Sequence, residues 1–122
     1  MGSIDVLLDT NILVEIWRGK TEPKKAIEDY SCGIETVVSC EFLQGVNHRQ
    51  RERAKLFIEK YEFIAFSPEV SYRAVSLIKE FAHSKGLRIA DALIASTALE
   101  RDTPLFTYNK KHFNFIGGLR LI

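Results

Sequence analysis

Asp9, Glu41 and Asp91 are three carboxylates at one kind of address, the junction between an expected strand and the start of an expected helix, or the first turn of such a helix. In parallel α/β sheets, ligands gather outside the carboxyl ends of the strands, so acids placed there are candidates for chemistry. If the sheet brings the three together, their repulsion is costly unless a cation offsets it. Oxygen-only donors suit Mg²⁺ or Mn²⁺, hard ions that also bind phosphate oxygens. Such an ion acidifies water, holds a scissile phosphate and neutralises charge as the bond breaks, which is phosphodiester hydrolysis. Each acid also has a structural reading. Carboxylates near helix N-termini contribute about 0.3 to 1 kcal/mol, and Asp9 can cap the helix that follows it. With Ser39 as cap, the capping-box position is Phe42, which leaves Glu41 outside the box. Asp91 stands among alanines, where a charge needs water or a counter-ion. Three dispersed acids are a weak motif, and spacing alone leaves both readings open.

The elements that would position these acids follow from hydrophobic pattern. Ile4 to Asn11 contains the apolar run Val6-Leu7-Leu8, which lacks alternation as a strand covered on both faces does. Thr10 and Asn11 are the expected caps of the helix after it, leaving Asp9 available. Ile12, Leu13, Ile16 and Trp17 give that helix its apolar face as far as Gly19, and a second helix opens around Thr21 to Pro23. Gly33 to Val38 reads as strand two, with Ser39 capping a helix whose first turn holds Glu41. A helix through Ala54, Leu56, Phe57, Ile58 and Tyr61 comes next, then strand three at Phe63 to Phe66. Ser67-Pro68 opens a long helix that Gly86 ends, and Ile89 to Arg101 is a helix rich in small residues. Leu105 to Thr107 is strand four, and Leu119 to Ile122, after Gly117-Gly118, a fifth. Strands separated by helices imply right-handed crossovers and a mainly parallel four- to five-stranded sheet with helices on both faces, an α/β three-layer sandwich.

At 122 residues the chain suits a single domain, 1–122, and 46% hydrophobic with 27% charged residues is ordinary globular composition. Met1, Gly2 and Ser3 are given no structural role. No apolar run approaches the roughly 20 residues of a membrane span. The start lacks a signal-peptide pattern, so a cytoplasmic location is expected. Cys32 and Cys40 have neither disulfide-framework nor zinc-site spacing and read as inert buried thiols. The net charge of +1 names no polyanion partner, yet His48 to Lys55 concentrates Arg49, Arg51, Arg53 and Lys55 against Glu52. That run is either a solvated helix face or a phosphate-binding patch. Trp17, Phe42, Leu43, Phe57 and Tyr61 are either core or a groove for a partner's helix or strand, or a dimer face.

Four motifs then stand in order: L-L-D-T-N at 7–11, E-F-L-Q-G at 41–45, R-I-A-D-A-L-I-A-S-T-A at 88–98 and F-T-Y-N-K-K-H-F at 106–113. Across essentially its whole length the sequence resembles the PIN-domain ribonucleases, and among them the small VapC toxins of type II toxin–antitoxin systems. The resemblance implies a Mg²⁺- or Mn²⁺-dependent endoribonuclease acting on RNA, usually a homodimer, neutralised by a cognate VapB-like antitoxin. It makes Asp9, Glu41 and Asp91 the metal-holding acids, with Thr10, Asn11, Thr107 and Asn109 as supporting polar residues. Lys110 and Lys111 would then hold the RNA backbone, and Arg49, Arg51 and Arg53 would extend that surface. One position departs from the pattern: His112 stands where many members carry a fourth acid. Three carboxylates suit one tight metal, a second arriving only with the RNA phosphate. His112 has three readings: a metal ligand favouring Mn²⁺, a phosphate donor, or a surface residue. Two other functions are compatible with the motifs, an RNA-processing role outside a toxin system and a catalytically weak protein-binding module.

Overall fold

The computed structural model describes residues 3–122, so Met1 and Gly2, given no role above, lie outside the described residues. Val6–Leu8 forms β1, three residues all buried, as an apolar run without alternation requires. The chain continues through α1 (Thr10–Trp17), α2 (Thr21–Ile27), β2 (Cys32–Glu35), α3 (Thr36–Gly45), α4 (Arg51–Ile58), β3 (Glu62–Ile64), α5 (Pro68–Lys85), α6 (Ile89–Arg101) and β4 (Leu105–Phe106). Short 3₁₀ turns occupy His48–Gln50 and Lys110–His112. All strand pairs are parallel, in the order β3-β2-β1-β4.

That order says where a crevice must open. The chain moves outward from β1 to β2 to β3, then α5 and α6 carry it back past β1 to β4 on the other side. Right-handed crossovers made in opposite directions place their helices on opposite faces. The direction reverses between β1 and β4, so the loops leaving these neighbouring strands diverge there.

Ser67 caps α5 by accepting a hydrogen bond from the Val70 amide at 3.2 Å, Pro68 opens it, and Gly86 ends it at φ 71°. The small buried residues of α6, among them Ala92, Ala95, Ser96 and Ala98, allow close packing on α5 and α3. The expected fifth strand reduces to one parallel bridge between Leu121 and Leu105, and the sheet has four strands. Strand three ends at Ile64, and Phe66 is exposed.

The larger difference lies after β2. The strand stops at Glu35 and not Val38, because the Glu35 carboxylate accepts from the Val37 amide and starts α3 four residues before the expected Ser39 cap. Tertiary packing overrides the β propensity of Val37 and Val38. Ser39 is buried inside the helix, its hydroxyl without a protein partner, and Glu41 falls in the second turn of α3, not the first.

Both cysteines are free thiols, but only Cys32 is buried; Cys40 faces outward from α3. Phe42 is core, and Trp17, Phe57 and Tyr61 are half-buried around it with successive ring centroids 5.3–5.7 Å apart, an aromatic cluster that joins α1, α3 and α4. Leu43 stays exposed.

Phe113 follows the last 3₁₀ turn directly, has no exposed surface, and anchors the segment that carries Asn109 and His112. Truncating a fully buried Phe removes its transfer energy and leaves a cavity. Phe113→Ala is therefore expected to lower stability by about 3–5 kcal/mol in urea unfolding.

Candidate active site

The site grows from the end of β1. Asp9 is buried at the first position beyond the strand and is the N-cap of α1, its Oδ1 accepting from the Thr10 amide at 2.8 Å. This corrects the expectation that Thr10 and Asn11 do the capping. A carboxylate has two oxygens, however, and Oδ2 points elsewhere: it accepts from the Thr107 hydroxyl at 2.7 Å and from Asn11 Nδ2 at 3.4 Å. The Tyr108 amide donates to Asn11 Oδ1 at 3.1 Å, and the Asn109 amide to the Thr107 hydroxyl at 3.0 Å. The polar residues after β1 and β4 thus form one network across the crevice.

Thr10 is not idle. Its hydroxyl donates to Glu41 Oε1 at 2.6 Å, tying the exposed Glu41 of α3 to the start of α1. From the far wall, Asp91 in the first turn of α6 faces the same cleft, and His112 Nδ1 stands 3.5 Å from its Oδ2. Asp9, Thr10, Asn11, Glu41, Asp91, Asn109 and His112 line a cleft of about 1050 Å³ whose apolar wall includes Val14, Ile78 and Leu87.

Electrostatics record the crowding. Burial pushes the Asp9 carboxyl above its usual value; hydrogen bonds from Thr107 and Thr10 pull it back, the Glu41 charge pushes it further up, and His112 draws it down. Burial likewise raises Asp91, the Asp9 and Glu41 charges add to the rise, and His112 and Arg88 oppose it. Among the described residues, no three His, Cys, Asp or Glu side chains are already gathered into a metal cage. The donor set nevertheless fits a hard divalent ion: it is oxygen-only, mutually repelling, and deficient in positive charge.

Arg18 and Arg88 line the cleft, and sequence reading singled out neither. Lys110 and Lys111 are exposed beside it but outside its lining. Arg49, Arg51 and Arg53 lie elsewhere, in or next to α4, with Arg51 against His48 and Arg53 over the Trp17 ring. Thr107 is fully buried beneath the cleft. A second cavity of about 750 Å³, lined by Lys24, Lys25, Lys60 and Tyr61, opens where β2 and β3 begin, at the other end of the strands.

A fourth acid was also missed. Glu35 ends β2 as Asp9 ends β1, and the rule that picked out Asp9 picks it out too once the strand is stopped at G-I-E. It is 1% exposed. Burial pushes its carboxyl up to about 7, against hydrogen bonds from Val37 and Thr97 and with help from the Glu41 charge.

A parallel three-layer α/β domain with an acidic cleft at its topological switch point is the class that fold and site define. The PIN domain family model matches residues 6–117, and the chain belongs to that family. A curated relative, Ribonuclease VapC1 of Methanocaldococcus jannaschii, is 29% identical over 88% of this chain and 78% of its own length. Among solved structures, a toxin–antitoxin complex from Klebsiella pneumoniae superposes with TM-score 0.82 and 29% identity, covering 97% of this chain and 96% of that one. VapBC2 from Rickettsia felis, bound to a DNA fragment from its promoter, superposes with TM-score 0.81 and 29% identity over 98% of both chains.

A carboxyl raised in the fold keeps a proton that the unfolded chain has already released. For Glu35 the folded state therefore loses stability as pH rises from the ordinary glutamate value of 4.5 through about 7. Asp9 and Asp91 shift in the same direction. The metal-free protein is expected to lose about 3 kcal/mol of unfolding free energy between roughly pH 5 and pH 8. Glu35→Gln should flatten most of that slope in denaturant titrations, and an unchanged slope would count against a proton held at Glu35.

Proposed function

We propose that the chain is a divalent-metal-dependent endoribonuclease of the VapC kind, the toxin of a VapBC-type pair. The observation that carries this reading is the meeting of Asp9, Glu41 and Asp91 in one cleft of a PIN domain whose relatives are named ribonucleases. The cofactor is Mg²⁺ or Mn²⁺, with Asp9 and Asp91 as ligands and Glu41 joining them directly or through water. When bound, such an ion acidifies water and offsets charge on the phosphate in the transition state.

The chain's own residues do the rest. Thr107, Asn11 and the Thr10 amide hold Asp9 in one orientation, so the buried ligand is pre-set before any ion arrives. Glu41, exposed and held by a single hydroxyl, keeps rotamer freedom. One of the three acids takes the proton of the attacking water, which approaches in line with the leaving oxygen. Arg18 and Arg88 on the rim, and Lys110 and Lys111 beside it, neutralise phosphates of the RNA on either side of the cut. His112 leans on Asp91 and half of its side chain is exposed, which suits contact with a phosphate or with a second ion brought by the RNA. The cytoplasm is the expected compartment; among the described residues no helix is long and apolar enough to cross a membrane. A VapB-like antitoxin and a second copy of the chain are the partners in this reading.

Asp9→Asn keeps an acceptor for the Thr10 amide and removes the charge. It is expected to fold and to cut RNA on the order of 100-fold more slowly with Mg²⁺ or Mn²⁺. Undiminished cleavage by the folded variant would end the mechanism. Calorimetry of the metal-free protein with Mn²⁺ should show one tight site, whereas two tight sites without RNA would refute the single-ion arrangement.

A further inference from the structure

Glu35 takes no part in the cleft, yet it touches both helices that supply acids to it. It lies at the end of β2, outside the cleft lining and 1% exposed. Oε1 accepts from the Val37 amide at the start of α3, the helix of Glu41. Oε2 lies 3.1 Å from the hydroxyl of Thr97 on α6, the helix of Asp91. Among the described residues no other side-chain hydrogen bond links Glu35 or α3 to α6. Ser39 and Ser96, on the same two helices, have buried hydroxyls without protein partners, so they do not link the helices.

The Thr97 hydroxyl also lies 2.9 Å from the Leu93 carbonyl. It has one proton and two acceptors within reach. Thr97 donates to Glu35 when the acid is ionised; protonation resolves the conflict, because the carboxyl then donates to Thr97 Oγ1 and Thr97 donates to Leu93. The high proton affinity of the buried acid agrees with that pattern.

We propose that Glu35 is a positioning residue, a buried carboxyl that ties the start of α3 to α6 and thereby sets the separation of Glu41 and Asp91 across the cleft. The tie is a property of the fold; its effect on metal affinity rests on the function proposed above.

The two are separable by experiment. Glu35→Gln keeps an acceptor for Val37 and places an amide donor at Thr97, so it mimics the neutral acid. Glu35→Ala removes both bonds, whereas Thr97→Val removes the inter-helix bond, with the Thr97–Leu93 bond inside α6, and leaves the Glu35–Val37 bond in place. Spin labels on Cys40, exposed on α3, and on an Arg101→Cys variant, exposed at the end of α6, report the distance between the helices; Cys32 is buried. Glu35→Gln should match the parent in distance distribution, while Glu35→Ala and Thr97→Val broaden or displace it. In calorimetry with Mn²⁺ alone, Ala and Val should bind about 10-fold or more weakly, and Gln close to the parent.

Distances in folded Glu35→Ala or Thr97→Val that overlay the parent's would overturn the proposal. So would a Gln variant as disturbed as Ala. If Glu35→Ala does not fold, Thr97→Val decides the matter. If the parent binds no Mn²⁺, the metal reading fails while the distances still decide the tie.

Discussion

Negative charge gathered at the carboxyl end of a parallel sheet is the constraint on which the rest of this molecule depends. Unit charges of like sign about 5 Å apart near a protein surface repel by on the order of 3 kcal/mol. Besides Glu15, which pairs with Arg18, four carboxylates share this end of the domain, and each is accommodated differently. Asp9 is buried and accepts hydrogen bonds from Thr10, Thr107 and Asn11. Glu41 stays in water with one hydroxyl on it. Asp91 is half-buried against an imidazole. Glu35 is sealed in and holds a proton up to about pH 7.

Topology is what makes the gathering unavoidable. The sheet order reverses between β1 and β4, so residues just beyond these strands face one another across a crevice. Asp9 and Thr107 are those residues, and their hydrogen bond closes the bottom of the cleft. Asn11 then spans the two loops, donating to Asp9 and accepting from the Tyr108 amide. A contact between positions 98 apart in sequence is thus part of the same geometry that orients the first acid.

Much of this was legible in the sequence because local signals and tertiary packing agree. Val6 to Leu8 has no alternation and is buried on both faces; Ser67-Pro68 and Gly86 bound α5 as their cap chemistry demands; Ile89 to Arg101 is the helix its small residues suggest. Reading failed where two signals compete. Val37 and Val38 favour a strand, but the Glu35 carboxylate offers a cap and the helix wins, which moves Ser39 into the interior and Glu41 into the second turn. Arg18 and Arg88 carry no local signal of their place; only the tertiary fold brings the end of α1 and the start of α6 to one cleft. The basic run at Arg49 to Arg53 is conspicuous in sequence and lies outside the cleft lining, with Arg53 over the ring of Trp17, the neighbour of cleft-lining Arg18.

Capping occupies only one of the two oxygens of Asp9. Oδ1 serves the start of α1 while Oδ2 takes the Thr107 hydroxyl beneath the cleft, so the cap and the Thr107 bond together fix the orientation of the side chain. Glu35 extends the same logic with the opposite outcome. Its two oxygens also divide between a helix start and a neighbour, but no cleft reaches them. A Mg²⁺-like ion keeps several waters and needs room for them, whereas a proton needs none. Depth therefore separates the acids by the room beside them: no cleft reaches Glu35, whereas Asp9, Glu41 and Asp91 line a cleft with space for a hydrated cation.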